Sequence, residues 1–528
     1  MYLQINNIKL TPSQHENEII KFINKKYGIS ASSFKVLKRS LDARNKNDIY
    51  YNFRILIELE NNTAAKLLKF DEIEEYQPVP VPETVKGSFH ESIIIIGAGP
   101  AGLFAALRLI ESGAHVIVLE RGKRVEDRMK DIEILENTGV LNPDSNSLFG
   151  EGGAGTYSDG KLTTRINRPE ILWFYKKIIE NGAPPSAAYE SKPHIGTDRL
   201  QDIVKNIRKS ITESGSEIKF SERVTDLYIS GGRITGVATS AGNEFFSGNI
   251  ILASGHSARD VYSLLKEKNI ALEKKGFAAG VRVEHPADEI NSIQYGKSQY
   301  ITYLPAAEYS LAYNSKSTGR GTYSFCMCPG GSVINSSSEN GELCVNGMSM
   351  SGRDFRYSNS AIVVTVKKED MGDDPLSGVE FQREIEKKAF SAGGGNYKAP
   401  AQTIKSFLKK SVDRSIRETS YRNGITPSQL EDFLPEWITK EIRTALSFFD
   451  NKMRGFISGN GVFIGAETRT SSPVRITRDE SFQSLSVKGL YPAGEGAGYA
   501  GGIVSSAVDG IRCADAIICG NHPLSDRA

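Results

Sequence analysis

The 528-residue chain holds only five cysteines, Cys326, Cys328, Cys344, Cys513 and Cys519. They are too few and too clustered to frame a protein of this size with disulfides, so a reducing compartment is expected. No stretch approaches the ~18 apolar residues of a membrane span, and residues 1–18 lack the basic-then-apolar order of a secretory leader. The expectation is a cytoplasmic protein without a membrane span. Charge of one sign is also missing: 65 Lys and Arg stand against 63 Asp and Glu, which gives no general field for nucleic acid and argues against DNA as a partner. Neither CxxC nor HxxxH spacing occurs, so no metal site is expected. With 39% hydrophobic and 24% charged residues, disordered and collagenous classes are excluded, and at roughly 150 residues per domain the length predicts three or four units. Glycine is in excess, at 50 residues where ~7% is usual.

Residues 1–76 read as a small α+β unit: strand Leu3–Leu10, a helix from about Pro12 to Tyr27, strand Ser33–Leu41 and strand Ile49–Leu59. In the last, Ile49, Tyr51, Phe53, Ile55, Ile57 and Leu59 alternate, which gives one apolar face. Residues 77–90 open with Gln77-Pro78-Val79-Pro80-Val81-Pro82, extended and poor in amide donors, and form a linker. Beyond it the pattern predicts an α/β, Rossmann-like domain in two parts, 91–275 and 476–528, with an α+β substrate or cap domain inserted over 276–475. Strands are expected there at Gly280–Glu284 and Ala361–Lys367, and helices at Glu380–Phe390, Gln429–Leu434 and Ile438–Met453.

The chemistry starts at Ile93-Ile94-Ile95-Ile96, a β-branched run suited to a strand buried on both faces. Gly97-Ala98-Gly99-Pro100-Ala101-Gly102 follows, then the helical Leu103–Ser112, Gly113, and strand His115–Leu119 ending in Glu120-Arg121. Gly97 permits the tight turn, Gly99 admits a pyrophosphate to the backbone, and Gly102 lets helix and sheet pack closely. The helix N-terminus, next to Pro100 and Ala101, offers unpaired amides to phosphate. Glu120 stands where a carboxylate accepts both ribose hydroxyls of an adenosine. The segment is a dinucleotide site in the required strand, turn, helix, strand and acid order.

Two further stretches decide which dinucleotide. Short strands at Glu217–Phe220, Arg223–Ile229, Arg233–Thr239 and Phe245–Ser247 suggest a β-meander leading into Asn249-Ile250-Ile251-Leu252-Ala253-Ser254-Gly255-His256. Late in the chain, Leu490-Tyr491-Pro492-Ala493-Gly494-Glu495 precedes Gly501-Gly502-Ile503 and a final helix. With these motifs the sequence resembles the two-motif FAD-dependent oxidoreductases. The resemblance implies that Gly494-Glu495 contacts the ribityl chain, with Glu in place of the more usual Asp. It also implies that the helix starting at Gly502-Ile503 points at the pyrimidine edge of the flavin, that Val224 lies at the adenine, and that Ser254-Gly255 replaces the usual Thr-Gly. No second glycine-motif βαβ unit follows, so NADH or NADPH, if it is the reductant, is expected to bind transiently over the flavin.

Phe149–Arg165 packs five glycines into seventeen residues, a loop whose amides can line an anionic or planar ligand. Gly153 and Lys161 are its candidate cofactor contacts, and Lys161 and Arg165 can also face substrate. With Arg39–Arg44, Asp48–Tyr50, Phe325–Gly331, Asn346–Ser349 and Glu467–Arg475, this loop makes the whole chain similar to the uncharacterised bacterial FAD-dependent, or NAD(FAD)-utilizing, dehydrogenases. That resemblance implies non-covalent FAD, hydride transfer to or from a small organic substrate or NAD(P)H, and no settled catalytic residue. Cys326 and Cys328 are candidates for redox work, since a disulfide between them is strained; inert packing is the plain alternative. Arg469 and Arg475 are candidates to clamp a carboxylate or phosphate, with surface salt bridges as the alternative. Two readings from other classes stand beside the enzyme: a flavoprotein of RNA modification docking RNA on the basic turn Lys38–Lys46, and a non-enzymatic FAD-binding redox sensor.

Overall fold

The computed structural model describes residues 1–520; residues 521–528, the end of the last expected segment, lie outside the described residues. The N-terminal unit is a four-stranded antiparallel sheet in the order Lys35–Asp42, Tyr50–Glu58, Tyr2–Leu10, Ile73–Glu75. The alternating face buries Phe53, Ile55 and Ile57 in one core with Ile19 and Ile23 of helix Glu18–Tyr27. That helix starts six residues later than the sequence pattern suggests. Gln14 takes the Thr11 N–H on its side chain (2.8 Å) and donates its own N–H back to the Thr11 carbonyl (3.0 Å), which closes a turn first.

The edge strand Lys35–Asp42 continues onto the rest of the protein. Arg39 donates its N–H to the Tyr189 carbonyl (2.8 Å) and accepts the Ser191 N–H (2.9 Å), while its guanidinium bridges Glu16 and Glu190. Arg44 pairs with Asp42 (2.5 Å) and Lys46 donates to the Ile293 carbonyl (2.6 Å). Three basic side chains of the turn considered for RNA are thus engaged within the chain.

Leu490–Pro492, Ile250–Leu252, Ile93–Ile96, Val116–Glu120 and Glu217–Phe220 form, in that order, a fully parallel sheet. Ile93–Ile96 is buried on both faces. One face carries helices Pro100–Ser112 and Ile503–Gly520; the other carries the antiparallel strands Val224–Ser230, Arg233–Thr239 and Glu244–Phe246. Glu217–Phe220, expected in that meander, is instead the parallel edge strand, paired with Ile117–Glu120.

Between these two stretches of chain lies a seven-stranded sheet in the order Ala312–Asn314, Gly321–Cys328, Tyr357–Val366, Phe277–Pro286, Val462–Glu467, Ala399–Thr403, Ile425–Pro427. Its core also holds residues of helices Ser377–Ala392 and Glu436–Lys452. Gln429–Leu434, expected as a helix, is only a 3₁₀ turn over Leu430–Asp432. No described helix is long and apolar enough to cross a membrane.

Candidate cofactor and substrate cleft

A cleft of about 800 Å³ runs between the parallel sheet and the seven-stranded sheet, within the ~300–1,000 Å³ range of small-ligand sites. Its lining includes Gly97, Gly99, Pro100, Ala101, Glu120, Arg121, Gly153, Lys161, Val224, Ser254, Gly255, Glu495, Gly502 and Ile503. Segments that lie up to about 400 residues apart in the sequence therefore share one wall. Two candidates stand behind it instead. A Cβ on Gly102 would lie 1.9 Å from the Gly97 oxygen, and Gly494 packs on Ala101 while donating its N–H to Asp509 (2.7 Å). Both shape the turns rather than face the cavity.

The glycine cradle is open where a ligand would press on it. A Cβ placed on Gly255, Gly501 or Gly502 would meet no protein atom within 4 Å, and one on Gly99 only the Gly153 Cα at 3.9 Å. Helix Pro100–Ser112 begins at this wall with no side-chain cap, so its first amides and the positive end of its dipole are available to an anion. These features fit an extended dinucleotide. Glu120 fits less simply than its position suggests. Its carboxylate accepts the N–H groups of Ala98 (2.8 Å), Gly122 (2.9 Å) and Gly150 (2.9 Å), leaving about one of its four acceptor positions where two ribose hydroxyls were expected. Arg121 pairs with Asp260 (2.8 Å) and covers the Phe149 ring.

Cys326 and Cys328 both line the cleft as free thiols, but they face differently. Cys328 is buried, whereas Cys326 is exposed to the cavity and adopts φ 42°, a left-handed conformation rare outside glycine. The pairing of strand Gly321–Cys328 with Tyr357–Val366 slips at this point. Two cations pin the bulge: Arg282 donates to the Cys326 carbonyl and Lys161 to the Met327 carbonyl. Bulges re-aim side chains in this way beside active sites. The cleft walls strip water from Cys326 and push its thiol up to about 12, so it is held as S–H.

The proposed arginine clamp is not formed. Arg469 is buried and gives its guanidinium to Glu386 (Nε 3.0 Å, Nη2 2.7 Å) and Ser338 (2.6 Å). Glu386 is shared with Arg259 (2.8 Å). Arg475 is not part of the cleft lining and packs over the Tyr499 ring. Arg469 lines the cleft, but its guanidinium is held by Glu386, 83 residues earlier in the chain, which local spacing does not reveal.

Two groups not singled out for acid–base work stand out instead. His256 Nδ1 lies 3.7 Å from Glu495 Oε1, and His256 Nε2 is buried without a partner. Burial lifts the Glu495 carboxyl to about 7 against the pull of Lys275 and the Gly502 N–H. Burial, with Arg469 and Arg259 nearby, holds His256 down at about 4. The Glu in place of Asp at 495 was the one visible signal.

Residues 276–470 match the model of an FAD-dependent protein, C-terminal domain-like, and residues 91–292 that of the pyridine nucleotide-disulphide oxidoreductases. An uncharacterised protein of Clostridium beijerinckii is 43% identical over 533 residues, covering 98% of this chain and 99% of its own. The chain belongs to the FAD-dependent oxidoreductases. FAD is therefore the dinucleotide of this oxidoreductase. Residues 2–58 match a domain of unknown function. A lysine-specific histone demethylase 1 homologue of Arabidopsis thaliana is 26% identical over 186 residues, 34% of this chain and 21% of its own. The FAD complex of Bacillus halodurans glycerol-3-phosphate dehydrogenase is 12% identical, with 82% of this chain and 66% of that chain covered, at a TM-score of 0.37, too low to carry an argument.

Proposed function

We propose that this oxidoreductase holds FAD non-covalently along the glycine wall and exchanges a hydride equivalent with a small organic molecule lodged between that wall and the strand Gly321–Cys328. The observation that carries the reading is the single cleft that gathers the glycine turn, the Ser254-Gly255 element, the Glu495 turn and the start of the last helix. Gly97, Gly99 and the first amides of helix Pro100–Ser112 would take the pyrophosphate, Glu120 a ribose hydroxyl, Val224 the adenine, and Glu495, Gly502 and Ile503 the ribityl and ring end. Bound FAD supplies a two-electron acceptor and donor.

The protein's own groups do the rest. Gly153 and Gly155 press the loop against Gly99, Pro100 and Ile503, which closes the cavity over the glycine turn. Glu495, its carboxyl lifted to about 7, can take up or release a proton near neutral pH, and the neutral His256 places Nδ1 3.7 Å from its Oε1. Cys326 presents a protonated thiol to the cavity. NADH or NADPH would use the same opening, since no second glycine-motif βαβ unit occurs in the sequence.

The test is the spectrum of the purified protein followed by anaerobic titration with each nicotinamide. The expected result is yellow protein whose colour is released on denaturation and bleached by one nicotinamide or by an organic reductant. Correctly folded protein that stays colourless after reconstitution with FAD would overturn the proposal.

A further inference from the structure

Five side chains between the cavity and its mouth form an alternating ionic chain. Lys161 Nζ pairs with Asp159 (2.8 Å), Asp159 with Arg353 (2.5 Å), Arg353 with Glu308 (2.8 Å) and Glu308 with Lys192 (3.2 Å). Lys161, Asp159, Glu308 and Lys192 all line the cleft. The carboxylates stay ionised. Burial works against Asp159, but Lys161 and Arg353 hold it below its ordinary range; burial likewise works against Glu308, and Arg353 and Lys192 outweigh it. A chain that begins and ends on lysine carries one positive charge more than it balances. Arg165, four residues after Lys161, also lines the cleft, and among the described residues it has neither a hydrogen bond nor an ion pair.

Among the described residues no carboxylate other than Asp159 and Glu308 comes within ion-pair distance of these cations, so the surplus is local to this part of the wall. Arg282 and Glu467 form a buried pair (2.9 Å) behind Cys326. The remaining carboxylates of the lining have partners of their own elsewhere: Glu222 is bound by Thr239 and Asn243 (2.6 Å to the latter), Glu120 by three backbone amides, and Glu495 lies beside His256 (3.7 Å), while Arg121 and Arg469 have carboxylate partners. An unbalanced charge in a partly desolvated cleft is costly until a counter-charge arrives, and low-dielectric walls focus its field on an incoming ligand.

We infer that the substrate of this oxidoreductase is a small organic anion, a carboxylate or phosphate ester, whose charged group sits between Lys161 and Arg165. The inference rests on the proposed function for the site's role but not for its existence. Lys161, with two of its three donors committed to Asp159 and Met327, keeps one for the ligand. Arg165 offers the planar fork that suits either anion. Lys192, paired with Glu308 and mostly exposed, draws anions toward the mouth.

The test is calorimetric titration of the full chain, with and without FAD, using glutarate against glutaramide and phenyl phosphate against phenol. The expected result is that at least one anion binds about tenfold or more tighter than its neutral counterpart. Its affinity should fall when salt rises from about 0.05 to about 0.5 M, and should drop about fivefold or more in Arg165→Gln, an exposed position that does not threaten folding. Lys161→Met should lose the same preference. Equal binding of anions and neutral counterparts, or anion binding unchanged in Arg165→Gln, overturns the inference. So does a loss of FAD from Arg165→Gln, which would assign the cations to the cofactor phosphates. Failure of wild-type protein to take FAD, with the anion preference intact, would sink the proposed function and leave this one standing.

Discussion

Gly99→Ala and Gly102→Ala, three residues apart, should fail for opposite reasons. At Gly102 the new methyl would lie 1.9 Å from the Gly97 oxygen and 3.2 Å from Ile95 Cγ2, so either the strand or the start of the helix must move. Overpacking of this kind costs about 3 kcal/mol or more, and the FAD-free protein itself should be destabilised. At Gly99 the methyl would meet only the Gly153 Cα at 3.9 Å, with φ at −78°, so the backbone is unstrained. The FAD-free fold should lose about 1 kcal/mol at most, the difference between glycine and alanine at a helix N-cap. That methyl projects into the cradle meant for pyrophosphate, and displacing the cofactor there should cost about 1–3 kcal/mol, or roughly 5- to 150-fold in affinity. Denaturant unfolding of the FAD-free variants, with flavin fluorescence titration for affinity, separates the two. If Gly99→Ala binds FAD as wild type does, or if Gly102→Ala leaves unfolding unchanged, the assignment of one glycine to the ligand and the other to packing is wrong.

Glu495 has its folded pKa raised to about 7 from 4.5, so the native state binds the extra proton and stability falls as pH rises between those values. Across the window the loss is about 3 kcal/mol, and Glu495→Gln should remove that share of the slope in unfolding measured from pH 5 to pH 8 on FAD-free protein, leaving the share of Glu151, Glu342 and Glu467, which burial also lifts to about 7. Glu386→Gln leaves the Arg259 and Arg469 guanidiniums buried without their shared carboxylate and should cost about 3–5 kcal/mol, read as a lower denaturation midpoint; a neutral outcome would return Arg469 to the ligand. Iodoacetamide should label Cys326 slowly at neutral pH and faster as the medium becomes alkaline, since only the thiolate reacts, and should spare the buried Cys328; mass spectrometry of the peptides decides.

The glycine turns were legible because each follows from a local demand. Gly97 needs a positive φ next to a strand, Gly102 needs close packing, and both are encoded within ten residues of chain. The strand Ile93–Ile96 was legible for the same reason, through its unbroken β-branched run. Glu217–Phe220 was misplaced because a short strand carries no mark of whether its partner is parallel, and only the pairing with Ile117–Glu120 decides. Arg469 looked like half of a clamp because an arginine beside a turn has the same spacing whether it meets a ligand or a protein carboxylate such as Glu386. The Lys161, Asp159, Arg353, Glu308 and Lys192 chain draws on four separate segments, so its surplus charge exists only after folding. The acid–base pair was hidden for another reason. Glu495 and His256 acquire their proton affinities from burial, which residue type alone does not specify.

The Arg39 staple gives the first 76 residues a stake in what enters the protein. Its hydrogen bonds end at Ser191, and the next residue is Lys192, the outer terminus of the ionic chain. Pulling the small sheet away would let the doorpost swing while leaving the flavin wall untouched, so a truncated enzyme should remain yellow yet admit its guests less selectively.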